Sequence, residues 1–506
     1  MSKDNQFLST ITEGYAFKGD CIELGGAMLN GEVVENCIVK IPLKTMNRHG
    51  LIAGATGSGK TKTLQILAEQ LSSKGTPVLL MDIKGDLSGI AVAGEVNAKV
   101  IERHQKIGIS HTSNGNPVEF LTLSDEKGAR LRATVIEFGP VLFSKILGLN
   151  DTQGSVVSVV FKYCDDKGWL LLDLDDFKKV LNYFMNDGKE ELKKDYGNIS
   201  PMTIGTILRK VIELEQQGAG TFFGERSFEV EDLCRLDDEG RGMISILRLT
   251  DIQDRPKLFS TFMLQLLAEM YATFPEEGDL EQPKLCVFID EAHLVFSEAS
   301  KALLSQIESI IKLIRSKGVG VYFCTQNPQD VPDAVLGQLG MKMQHALRAF
   351  TAKDRQNIRL VAQNYPLTDF YDVENLITQL GIGEAFITVL NEKGIPTPIV
   401  QTMLRAPQSR MDVLSEVEID KILRGSQIIE KYNEVINRES AYEILTGKVE
   451  TTYGSEVQKP AQKEEPGMFE KVLKSPVAKQ VGSTLARELT RGLLGILGLG
   501  GRKKIW

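Results

Sequence analysis

The stretch Gly54-Ala-Thr-Gly-Ser-Gly-Lys60-Thr61 constrains this 506-residue chain more than any other. It follows the apolar run Leu51-Ile52-Ala53 and opens a segment with apolar residues at Leu64, Leu67, Ala68 and Leu71. Strand, tight loop and helix therefore come in the order that a phosphate-binding loop requires, and the pattern G-x-x-x-x-G-K-[ST] is matched in full. Glycines let successive backbone N–H groups converge on phosphate oxygens that a Cβ would obstruct. The helix starting near Lys60 turns unpaired N–H groups and its positive dipole end toward the same anion. Candidate phosphate-binding residues are Gly54, Ala55, Thr56, Gly57, Ser58, Gly59, Lys60, Thr61 and Lys62. Lys60 is expected to reach the β- and γ-phosphates of ATP, and the Thr61 hydroxyl to ligate Mg²⁺.

A second element completes the pattern. Leu285-Cys-Val-Phe-Ile289 is a continuous apolar run ending in Asp290-Glu291, as in a Walker B strand. Asp290 suits Mg²⁺ as a hard oxygen ligand, and Glu291 suits the role of general base for an attacking water. A further buried strand, Val319 to Cys324, leads into Thr325-Gln326. Gln326 is expected to sense the γ-phosphate or position water, with a plain loop amide as the rival reading. Val78-Leu-Leu-Met-Asp82 is another such strand, followed by the loop that carries Asp86. Ligands gather at the carboxyl ends of open α/β sheets, so Asp82 and Asp86 are candidates, with a salt-bridged loop as the alternative. Arg315 ends the helix before the Gln326 strand and is read as lying on the ligand-facing side; Arg348 and Arg355 are further cations for transferring charge.

Between these anchors the chain divides into a β-rich lead-in (1–45), a P-loop half (46–140), a mainly helical insertion (141–240) and a Walker B and sensor half (241–405). A helical extension (406–445), a flexible linker (446–467) and a basic amphipathic tail (468–506) follow. In the lead-in, Gly25-Gly26 and Asn30-Gly31 are both turn signals. Strands are expected at Val118–Leu123, Ala133–Phe138 and Met243–Leu249, and helices at Gln153–Cys164, Asp175–Met185, Pro201–Gln216 and Pro256–Phe274. Met411 to Leu445 reads as one long polar helix, and Glu384–Leu390 with Thr397–Leu404 as a closing hairpin.

The net charge of −8 gives no support to a surface that grips nucleic acid everywhere, and it leaves room for a local basic channel. The tail from Met468 to Trp506 is basic, with an apolar stripe at Val481, Leu485, Leu489, Leu493 and Leu497. It reads as an oligomerisation helix, a peripheral membrane or nucleic-acid contact, or a helix folded on its own domain. Six scattered cysteines without a C-x-x-C suggest reduced thiols. With no signal-peptide core and no membrane-length apolar run, a cytoplasmic protein is expected.

With these motifs in this order, the chain resembles the HerA–FtsK superfamily of P-loop ATPases, and its bacterial HerA-like, helicase-type group more closely. The resemblance rests on Leu51–Thr61, Met81–Asp86, Phe288–His293, Ile314–Gly318, Cys324–Pro328 and Gly381–Phe386, and covers about Met46 to Leu404. It implies an α/β, RecA-like P-loop NTPase core, mainly a parallel sheet flanked by helices, in which the Gln326 strand lies between the two Walker strands. It also implies a hexameric ring of identical chains with ATP between subunits, Arg315 as the trans finger with Arg355 second, and ATP-driven movement of DNA. A protein-translocating ATPase and an ATP-switched assembly protein are the alternatives. Only about 45 residues precede the P-loop, where HerA carries a sizeable β-barrel.

Overall fold

Alternate residues of the apolar runs face opposite ways, and both directions are buried. Ile52, Leu80, Phe288 and Cys324 belong to one core, while Leu51, Leu79, Val287 and Phe323 belong to another. Strands buried on both faces need helices on both faces, which dictates a layered α/β architecture. The computed structural model describes residues 3–454, apart from 279, 297–300, 435 and 437.

In chain order the strands are β1 (Cys21–Leu29), β2 (Glu32–Pro42), β3 (Gly50–Ala53), β4 (Val78–Asp82), β5 (Val118–Thr122) and β6 (Ala129–Arg130). They continue with β7 (Ile244–Arg248), β8 (Leu285–Ile289), β9 (Val319–Thr325), β10 (Met341–Gln344), β11 (Glu384–Thr388) and β12 (Val400–Leu404). All twelve form one sheet in the order β2-β1-β12-β11-β10-β3-β9-β8-β4-β7-β5-β6. Pairing is parallel from β10 to β6 and antiparallel from β2 to β10. The core is thus the RecA-like P-loop fold, with β9 between β3 and β8 as the resemblance implied. Leu64, Leu67 and Leu71 of the P-loop helix (Lys60–Ser73) pack on one face. The helices Val135–Ile146, Asp151–Lys167, Leu174–Met185, Pro201–Gln216, Pro256–Thr273 and Lys301–Ile314 cover the other. Among the described residues, no helix is long and apolar enough to cross a membrane. All six cysteines are free.

Several expectations are corrected. Gly25-Gly26 is not a turn but lies inside β1, because a Cβ on Gly25 would come within 1.9 Å of the Met403 carbonyl on β12. Asn30-Gly31 is the turn, with φ of 52° and 85°. Its hairpin extends the main sheet through β1–β12 pairing, and a helix at Lys3–Gly14 precedes it. The segment Ala133–Phe138 is not a strand. Glu137 accepts the Thr134 N–H at 2.8 Å and helps start a helix there, while the short β6 pairs earlier in the chain. Residues 411–445 are not one helix. Ser415 and Glu418 form a capping box for Glu416–Arg424, which ends at Gly425, and separate helices follow at Ile429–Asn433 and Ala441–Gly454. The last of these runs into the segment read as a flexible linker. The remainder of that linker and the basic tail lie outside the described residues.

The chain leaving β12 is strapped across the P-loop helix. Glu69 accepts the backbone N–H groups of Gln408 (2.8 Å) and Ser409 (3.2 Å), and Gln65 donates to Ser409 Oγ and the Arg410 carbonyl at 2.8 Å each. Gly89 lies so close to this strap that a Cβ would fall 1.9 Å from the Asp412 carbonyl.

Candidate nucleotide site at the carboxyl edge of the sheet

Because β10, β3, β9, β8 and β4 run parallel, the loops after them open on the same edge. Ala53 is level with Thr325 and Gln344, and Ile289 with Phe323 and Met81, so the five exits are nearly flush. This register, rather than any single strand, brings residues from 53 to 345 into one site.

The P-loop curls between β3 and its helix with Gly57 and Gly59 at φ of 76° and 112°, values that L side chains rarely adopt. Gly59 also passes close to Gly383, whose N–H donates to the Ser58 carbonyl at 3.1 Å. Lys60 is 6% exposed and folds back to donate to the Gly54 (2.6 Å) and Ala55 (3.2 Å) carbonyls. Burial is the first cause of its lowered pKa. Buried His345, at the exit of β10, braces the loop through Thr63 Oγ1 at 2.9 Å; burial lowers its pKa to about 4, so it is neutral. The sequence offered no sign of that brace, since β10 is a four-residue strand without a strong apolar pattern.

Across the loop mouth, Thr61 Oγ1 donates to Asp86 Oδ2 at 3.3 Å. Asp290 is 2% exposed, and its Oδ2, like Asp86 Oδ1, is buried without a hydrogen-bond partner. Burial raises the Asp290 pKa, opposed by the Lys84 charge. Buried, underused carboxylate oxygens beside a hydroxyl are the hard donor set that Mg²⁺ prefers, so Thr61, Asp290 and Asp86 fit that ion. Asp82 does a different task from Asp86. It accepts the N–H groups of Gly85 (2.7 Å), Asp86 (3.2 Å) and Leu87 (3.1 Å), so it fixes the loop on which Asp86 sits. Burial pushes its carboxyl up to about 7, with the Asp86 and Asp290 charges adding and the Leu87 and Gly85 amides opposing.

Glu291 is 5% exposed and holds a positive φ of 46°, a conformation stored at a cost of about 1–3 kcal/mol and typical of functional sites. Its Oε1 accepts from Gln326 Nε2 at 3.3 Å, and Gln326 Oε1 in turn accepts from Thr56 Oγ1 at 3.3 Å. The same Oε1 forms an ion pair with Lys84, and His293 Nδ1 lies 3.3 Å from Oε2. Burial acts to raise the Glu291 pKa, but Lys84, Gln326 and His293 together hold it below the usual carboxylate range. Lys84 was missed in the sequence, where only the acids of that loop drew attention.

Four candidates lie outside this hydrogen-bonded cluster. Lys62 binds the Met411 carbonyl on the strap. Arg315 is exposed and precedes β9, which places it at the amino edge of the sheet, a strand length from Gln326. The ligand-side placement is thereby corrected: the preceding helix delivers its residues to the start of β9, not its end. Arg348 and Arg355 are exposed on the segment leaving β10, on the carboxyl edge.

Solved structures with this fold include the bacterial conjugative coupling protein TrwBdeltaN70 in its trigonal form with sulphate. It matches with a TM-score of 0.51 and 15% identity over 81% of this chain and 94% of that one. VirB4 of Thermoanaerobacter pseudethanolicus matches with a TM-score of 0.50 and 15% identity, over 77% and 97%. Among sequences, the DNA double-strand break repair helicase HerA of Saccharolobus solfataricus is 24% identical over 378 residues, 72% of this chain and 66% of that protein. The HerA of Sulfurisphaera tokodaii is 24% identical over 396 residues, 76% and 68%. The chain thus spans about two thirds of the length of the curated relatives it matches. The family profile described as Helicase HerA-like C-terminal matches residues 28–469, and the chain belongs to that HerA-like family.

Proposed function

We propose that this protein is a Mg²⁺-dependent ATPase of the HerA type, working in the cytoplasm as a homo-hexameric ring that moves DNA. The observation that carries the ATPase reading is the convergence of Lys60, Thr61, Asp290, Glu291 and Gln326 on one face of the P-loop. Lys60 and the loop amides bind the phosphates, and Thr61 and Asp290, with Asp86 beside them, hold Mg²⁺. When bound, the ion neutralises charge on the β- and γ-phosphate oxygens. Glu291 takes a proton from the attacking water as its oxygen bonds to the γ-phosphorus. The bond to the β–γ bridging oxygen breaks and ADP leaves with the electron pair. Gln326, held by Thr56 on the P-loop, orients that water or senses the γ-phosphate.

The HerA relatives are DNA double-strand break repair helicases, which supports DNA as the polymer. An exposed Arg315 at the edge opposite the chain's own P-loop suits a finger offered to a neighbouring subunit. ATP turnover by the full chain, measured with and without single- and double-stranded DNA, tests the proposal. Several-fold stimulation supports the motor. DNA-independent turnover transfers the weight to an assembly switch or a protein-translocating ATPase, and absence of turnover refutes the ATPase reading.

A further inference from the structure

Lys84 occupies the most consequential oxygen of the site, Glu291 Oε1. A base needs a free lone pair. Glu291 Oε1 has none, because the Lys84 ammonium and Gln326 Nε2 both sit on it. The ion pair is therefore a resting arrangement, unsuited to water activation.

The loop around Lys84 is built to hold its backbone while leaving its tip adjustable. Asp82 clamps Gly85, Asp86 and Leu87 by their N–H groups, and Gln253 Nε2 donates to the Ile83 carbonyl at 2.6 Å. The Lys84 side chain remains 37% exposed, against 6% for Glu291. The carboxylate it holds is joined to the P-loop through Gln326, whose Oε1 accepts from Thr56 Oγ1 at 3.3 Å. Lys84 thus stands one carboxylate away from the loop that would receive a terminal phosphate. A γ-phosphate carries more charge than one carboxylate and offers several acceptor oxygens, so it outcompetes Glu291 for the lysine.

We propose that Lys84 is the γ-phosphate sensor of this site, leaving Glu291 for a bound nucleoside triphosphate and so freeing the carboxylate to act as base. The inference rests on the ATPase reading. It makes activation of the base conditional on a triphosphate, since a diphosphate does not reach the lysine.

The test uses the full chain with Mg²⁺, titrated with ATPγS and with ADP. K84M should weaken ATPγS by about tenfold or more, the scale of a charge-assisted hydrogen bond, while ADP affinity stays within about twofold. Its turnover should fall, and K84R should keep part of the discrimination. In the E291Q background Lys84 is no longer tethered, so ATPγS should bind more tightly, and K84M added there should erase the gain. Equal loss for both nucleotides, unchanged affinities, or faster turnover in K84M would each overturn the proposal. The E291Q pair keeps the test informative should K84M alone fail to fold. Failure of the wild-type protein to bind either nucleotide would refute the underlying ATPase reading, before any variant is compared.

Discussion

Replacing Glu291 by Gln separates basicity from geometry, because the amide keeps the shape of the site. Its oxygen still accepts from Gln326, and neither the P-loop nor Asp290 loses a partner. What disappears is the proton-accepting capacity and the negative charge, and with the charge the ion pair to Lys84. Loss of a general base costs about 10²- to 10⁴-fold in rate, which is about 2.7–5.4 kcal/mol of barrier at 1.36 kcal/mol per tenfold. Binding should move the other way, since one anion beside the phosphates is gone. Steady-state turnover and MgATP affinity, measured together, should show kcat down by at least about 100-fold with Kd unchanged or lower. Asp290→Asn is the contrast. Asp290 is buried with an oxygen free for Mg²⁺, and an amide there places an N–H₂ donor against the ion, so Mg²⁺ affinity should fall instead. If Glu291→Gln keeps more than a tenth of wild-type turnover, or loses Mg²⁺ affinity as Asp290→Asn does, the division of roles is wrong.

Lys60→Ala should weaken ATP by about 10- to 100-fold, as loss of charge-assisted bonds to phosphate would; unchanged affinity in a binding titration refutes the P-loop assignment. Arg315→Ala should spare ATP binding and cut turnover by about 10³-fold or more. Mixing it with Glu291→Gln protein should restore activity, because some interfaces pair an intact base with an intact arginine; verified mixed oligomers without recovery would leave Arg355 or Arg348 as the finger. Glu69 gives a pH signature. Burial lifts its folded pKa from 4.5 to about 7, against the Gln408 and Ser409 hydrogen bonds. The folded state then holds the proton more tightly than the unfolded chain, so this contribution is full below about 4.5 and is lost as pH rises to about 7. At 1.36 kcal/mol per unit it amounts to at most about 3.4 kcal/mol. Thermal melts from pH 4.5 to 7.5 should show wild-type Tm falling relative to Glu69→Gln, and parallel curves would refute the assignment.

The phosphate loop, both Walker strands and the Gln326 strand were legible in the sequence because each is a local pattern. An apolar run fixes a strand buried on both faces, and the residue after it must emerge at the carboxyl edge. The closing hairpin and the helices Pro201–Gln216 and Pro256–Thr273 were legible for the same reason, carrying their proline starts and apolar periods within one segment. What the tertiary structure alone decided depends on which strands lie side by side. Gly25 looks like a turn until β12 is seen to approach it, and Lys84 looks like a loop cation until β4 and β8 pair and set it against Glu291. Arg315 was misplaced because its distance in sequence from Gln326 spans a whole strand, whose direction sends the two residues to opposite edges of the sheet. Local pattern fixes which elements form. Only strand register, set by packing between segments hundreds of residues apart, fixes which side chains meet.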